Sequence, residues 1–294
     1  MKWKGRRGSD RVVDARGRSG GRGGSAAGTV LSLVGRKFGI KGIIVMAIVG
    51  VVLWQTGLID PAQLVGGPSG PSATSSGPVR QSESERERFE FVRVVLADTE
   101  DIWTARFAAN NEQYRLPELV TYRGSLSTGC GFGRAEMGPF YCPADQRIYI
   151  DLSFYDELEK AFSAPGDFAQ AYVIAHEIGH HVQTLLGASQ KVHARRGQDD
   201  YNEWSVRLEL QADCYAGVWA HHNRHYLERG DIEEAVRAAN AIGDDAIQQR
   251  TQGRVVPHAF THGTSAQRQY WFEKGLNNGS MDSCDTFSMP YQAL

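Results

Sequence analysis

No C-x-x-C pair occurs in this chain. Its four cysteines, Cys130, Cys142, Cys214 and Cys284, stand apart, which argues against a cysteine-based zinc site or a thioredoxin-like motif. No internal repeat is present either, and 294 residues suffice for one large domain or two small ones with a buried core. Acidic residues are nearly missing from residues 1–41, which carry eleven Lys or Arg against only Asp10 and Asp14. The arm is therefore +9 in a chain of net charge −2, which leaves −11 for the rest. A basic arm on an acidic body implies two different surroundings. Charge is absent altogether from Gly42 to Ile59, GIIVMAIVGVVLWQTGLI. Large apolar residues are scarce in residues 60–83, where Pro, Gly and Ser dominate.

These absences divide the chain into a disordered basic arm (1–41), a membrane anchor (42–59), a flexible linker (60–83) and a folded body (84–294). Roughly 20 apolar residues cross a bilayer, and Trp54 sits where an interfacial aromatic is expected. A cleaved signal peptide would have a shorter basic region. The expectation is one uncleaved helix in the cytoplasmic (inner) membrane, with the N-terminus in the cytoplasm and the body periplasmic or extracellular. The arm then sets topology or touches anionic lipid, and no nucleic-acid partner is expected. A translocated body with an even number of cysteines fits two disulfides. Three connectivities are possible, and four buried free thiols are the alternative. Cys130 and Cys142 flank a Gly-rich turn and form the natural local bridge, which leaves Cys214 and Cys284 for the second.

Apolar spacing predicts a helix from about Glu85 to Phe107. ELVTYR at 118–123 reads as a strand, and Glu136–Tyr141 with Arg147–Asp151 as an antiparallel hairpin. The strand near Gly131–Met137 could offer its edge to an extended peptide. Everything afterwards is helical in pattern. One helix opens at Asp167, with Gln170 completing a capping box, and ends at Gly187. Further helices are expected over 201–227, 231–249, where Glu234 again gives a capping box, and 265–274.

Residues 176–180 read His-Glu-Ile-Gly-His. Positions four apart on a helix share a face, so His176 and His180 can hold one metal ion while Glu177 reaches a water on it as general base. Zinc lowers the pKa of such a water to roughly 7. His181 lies about 100° around the helix from His180 and is not expected to be a ligand. A catalytic zinc needs a third protein ligand, and Glu209-Leu210-Gln211-Ala212-Asp213 repeats the four-residue spacing. Glu209 would bind the metal, and Asp213 would accept the N–H of a ligand histidine. Glu203, His258 and the cluster His221, His222 and His225 are the fallback ligands. His262 could donate to a developing oxyanion.

HEIGHH followed by ELQAD resembles the bacterial neutral zinc metallopeptidase family. GPFYCPADQRIYIDLSF at 138–154 and THGTSAQR at 261–268 extend the likeness from about residue 85 to the end. The resemblance implies an α+β, zincin-like peptidase domain with a small antiparallel sheet and a mainly helical body. It also implies one zinc ion and a peptide or protein substrate. More distantly the spacing is similar to gluzincin proteases, in which a His-Pro and a later Arg complete the site. Here His262 and Arg268 keep that interval, with Gly263 in place of the Pro. The rival reading is a catalytically silent envelope scaffold on the same fold. Glu177 discriminates, because a scaffold has no need of that carboxylate.

Overall fold

Ser82 and Glu85 cap each other reciprocally, side chain to backbone, and so start the 27-residue helix α1 (Glu83–Ala109). The computed structural model describes residues 1–17, 81–160 and 166–294, and the elements are numbered along them. The anchor expected at 42–59 and nearly all of the linker lie outside the described residues. Among those described, no helix is long and apolar enough to cross a membrane.

The architecture is α+β and mostly helical. After α1 the chain forms β2 (Glu118–Tyr122), the antiparallel hairpin β3 (Ser125–Thr128) and β4 (Gly131–Arg134), then β5 (Phe140–Cys142) and β6 (Arg147–Asp151). With β1 (Val12–Asp14), the main sheet has the order β1-β2-β6-β5. It is not antiparallel throughout, as expected, but mixed. β2 runs parallel to β6, and only the edge strand β5 is antiparallel to it. Parallel pairing needs long connections, so local hairpin signals do not reveal it.

The fourth strand, β1 (Val12–Asp14), comes from the arm. It pairs in parallel with β2, Val13 opposite Val120. Residues 1–17 are thus folded onto the body, a correction to the disordered arm expected there. Several of their side chains pair with the body. Arg6 pairs with Asp98, Arg7 bonds Asp101 at 2.8 Å, and the Ser9 hydroxyl donates to Glu100 at 2.6 Å.

Seven helices follow: α2 (Phe154–Lys160), α3 (Asp167–Leu185), α4 (Ala188–His193), α5 (Tyr201–His222), α6 (Asp231–Ala241), α7 (Asp244–Gln252) and α8 (Ser265–Asn278). Asp167 and Glu234 do not cap their own helices. Asp167 accepts from the Met1 amine at 2.6 Å, and Glu234 reaches across to the Phe168 N–H at 3.1 Å. The single helix expected over 231–249 is two, broken at Ile242 and Gly243, where a Cβ on Gly243 would lie 2.4 Å from the Ser265 amide. Thr264 and Gln267 form a reciprocal cap on α8.

The core gathers Trp103, Phe168, Tyr172, Trp219, Trp271 and Phe272 between these helices. Disulfides join Cys130 to Cys142 and Cys214 to Cys284. The first ties the hairpin to the edge strand, and the second ties α5 to the C-terminal segment. Helices α5 and α8 approach closely because glycines face backbone. A Cβ on Gly217 would fall 2.0 Å from the Phe272 carbonyl oxygen, and one on Gly275 would fall 2.0 Å from that of Cys214.

Forcing a methyl into that contact costs about 1–3 kcal/mol, or more where backbone must shift. Gly217→Ala and Gly275→Ala should each lower the unfolding free energy by that much and shift the urea midpoint down, while the exposed Lys191→Ala leaves both nearly unchanged. Midpoints equal to wild type for both glycine variants would show that the helices are not in this contact.

Candidate metal centre

In the middle of α3, Ala175, Ile178 and Val182 are fully buried. Gly179 lets α3 and α5 touch, since a Cβ there would sit 2.9 Å from the Ala212 carbonyl oxygen. This approach brings Glu209 of α5 over the pair on α3. His176 Nε2 lies 3.2 Å from Glu209 Oε2, and His180 Nε2 lies 3.5 Å from Glu209 Oε1. The three donor atoms all fall within 4.8 Å of one another. Two imidazoles and one carboxylate, with a cleft in front, are the donor set of a zinc site that keeps one position open.

Each histidine is held from behind. His176 Nδ1–H donates to Asp213 at 2.7 Å, and His180 Nδ1–H to Gln183 Oε1 at 2.9 Å. These bonds set the tautomer that turns both Nε2 atoms toward Glu209. Gln183 is itself fixed, because its amide donates to the Leu208 carbonyl at 2.6 Å. Asp213 is fully buried and accepts from Tyr172 and from two guanidinium nitrogens of Arg268, at 2.8 and 3.0 Å.

The electrostatics follow from this packing. Burial works to raise the Asp213 pKa, but Arg268 and His176 pull it down to about 2. Burial works to lower that of His176, but Asp213 and Glu209 outweigh it and hold the ring up at about 10. Glu209 is kept well below the usual carboxylate range by His180 and His262, against its burial. Two carboxylates thus impose a strong negative field on the imidazoles, the field that a dication would satisfy.

A cleft of about 520 Å³ opens over these atoms, lined by Glu177, His262 and the apolar side chains of Met137, Phe154, Val173 and Ile247. Burial pushes the Glu177 carboxyl above its ordinary pKa, against the neighbouring His180 and His176, which work to lower it. His262 is half-exposed at the rim. Its Nδ1 bonds Asp244 at 3.2 Å, and Asp244 also accepts the backbone N–H groups of Thr261 and His262. These contacts fix Nδ1 and leave Nε2 for a ligand.

Residues 1–287 match the family described as "Putative neutral zinc metallopeptidase". The chain belongs to this family. It is 48% identical over 293 residues to "Uncharacterized protein YpfJ" of Escherichia coli (strain K12), covering 98% of this chain and 99% of that protein. It is 47% identical over 188 residues to "Uncharacterized protein Rv2575" of Mycobacterium tuberculosis (strain ATCC 25618 / H37Rv), covering 60% of this chain and 64% of that one. No solved structure matches.

The fold brings His176, Glu177, His180, Glu209, Asp213, His262 and Arg268 to one cleft or directly behind it. The fallback residues lie elsewhere. Glu203 and His258 are exposed, while His221 and His222 bond the carbonyls of Leu276 and Gly279. His181 is buried between the Tyr141 hydroxyl at 3.1 Å and the Arg115 carbonyl at 2.6 Å. Sequence reasoning missed Tyr172, Gln183, Asp244 and Tyr141. Tyr172 and Gln183 were within reach of it, because they sit four before His176 and three after His180 on the same helix.

This geometry assigns distinct failures to distinct residues. Metal analysis of purified variants should show zinc lost from His176→Ala, His180→Ala and Glu209→Ala and kept by His181→Ala, with affinity about 10–100-fold weaker in Asp213→Asn. Arg268→Met leaves the Asp213 charge uncompensated and should cost about 3–5 kcal/mol of stability. Equal zinc content in all the variants would remove the ligand set.

Proposed function

We propose that the chain is a zinc-dependent endopeptidase on a zincin-like fold, with one zinc ion per chain held by His176, His180 and Glu209. The observation that carries this reading is Glu177, a buried carboxylate on the open side of a converging His-His-Glu donor set. Bound there, zinc would polarise a carbonyl and acidify a water. Glu177 takes the proton of the attacking water and delivers it to the leaving amine. Its raised pKa suits a group that must hold a proton between those two events. His262, steadied by Asp244, donates from Nε2 to the oxygen on which charge develops.

The substrate is an extended peptide or protein segment. Support comes from β5, which is the sheet edge beside the cleft and whose Phe140 and Tyr141 line it. The body works outside the cytoplasm and is held at the membrane through residues 42–59. Two disulfides with no free cysteine favour an oxidising compartment.

Glu177→Gln should bind zinc as wild type does and lose about 10²–10⁴-fold in peptide-cleavage rate. His262→Ala should keep zinc and fold and lose about 10²–10³-fold. A zinc-loaded Glu177→Gln that cleaves at the wild-type rate, or a zinc-loaded wild type without cleavage of any denatured protein, would turn the reading to a scaffold.

A further inference from the structure

The basic arm reads as the cytoplasmic flank of a membrane anchor, yet its first seventeen residues are part of the body's sheet. β1 meets β2 in a parallel ladder of three register pairs. Backbone bonds continue the seam on both sides, from Ala15 to the Thr121 carbonyl at 2.8 Å, from Leu119 to that of Arg11 at 3.0 Å, and from Ser9 to that of Arg93 at 2.9 Å. Trp3 packs edge-on against Phe91 with ring centroids 5.4 Å apart, and the Arg6 guanidinium covers the Tyr226 ring.

The charges make this docking specific. Asp98 and Glu100 of α1 are each 6% exposed, and Arg6, Arg7 and Ser9 reach them from the arm. Pulling the arm away would strip two buried carboxylates of these partners, and a buried charge that loses its partner is costly. It would also bare the β2 edge, an open template for wrong pairing. The family match begins at residue 1, so the arm belongs to the shared pattern and is not a private tail.

We infer that residues 1–17 and the metal-bearing body lie on the same side of the membrane. Strands pair at about 4.8 Å, whereas a bilayer core is about 30 Å thick, so this ladder cannot form across it. The apolar run Gly42–Ile59 then cannot be a lone crossing between arm and body. The positive charges of Arg6, Arg7 and Arg16 are engaged with Asp98, Asp101 and Asp14 in the folded body. The inference does not depend on peptidase activity. It replaces the opposite-side placement of arm and body.

The test places one new thiol on each part of the full chain. Lys4→Cys lies on the exposed side of the arm and Asn277→Cys on the exposed end of α8; neither side chain holds the fold. The four native cysteines are locked in disulfides and give the blank. Intact cells are treated with a membrane-impermeant maleimide before and after permeabilisation. Both thiols should behave alike, labelled together or protected together. One labelled and the other protected in intact cells would overturn the inference. Sedimentation of the chain with the membrane fraction reports the attachment separately, so loss of the anchor reading is distinguishable from loss of this one.

Discussion

Asp213 is a carboxylate with no exposed surface, and it is kept ionised. A buried charge of that kind is tolerated only when its surroundings supply opposite charge and hydrogen bonds. Three helices meet the demand. α3 sends Tyr172 and His176, α8 sends Arg268, and α5 carries Asp213 itself. Arg268 also donates to the Ile242 carbonyl at the break between α6 and α7, which draws that break to the same centre. Whatever shifts one of these partners tilts the His176 ring, and with it the donor set.

The helices must approach closely for this to work. Glycine on α3 faces Ala212, and glycines on α5 and α8 face each other's backbone, so the histidine-bearing helix α3 and the brace on α8 both press against α5. The Cys214–Cys284 bridge starts one residue beyond Asp213 and holds the C-terminal segment against the same stretch of α5. Gln211 donates to the Cys284 carbonyl at 3.0 Å, and Gln183 donates to Gln211. Support for His180 therefore runs from the disulfide through two amides.

The convergence of His176, His180 and Glu209 was legible because its spacing is local. Four-residue intervals on a helix fix which side chains share a face, for His176 with His180 and for Glu209 with Asp213. The Asp244–His262 pair was not legible, because it joins the start of one helix to a loop 18 residues on and has no periodicity. The helix boundaries at Asp167 and Asp231 were placed well but for the wrong reason, since the acids there serve neighbouring elements. The arm was misread most. Its composition, rich in Gly and Arg, matches a disordered tail. Nothing in a three-residue strand announces a parallel partner more than 100 residues away.

The hydrogen-bonded brace around Asp213 also has a consequence in time. The ribosome makes His176 and His180 first, Asp213 37 residues after His176, and Arg268 only near the end of the chain. A nascent chain that has emerged only as far as α5 holds every donor atom but leaves Asp213 without its guanidinium. The orienting bond to His176 then has no stable anchor. The brace around Asp213 is therefore complete only when the final helix has docked.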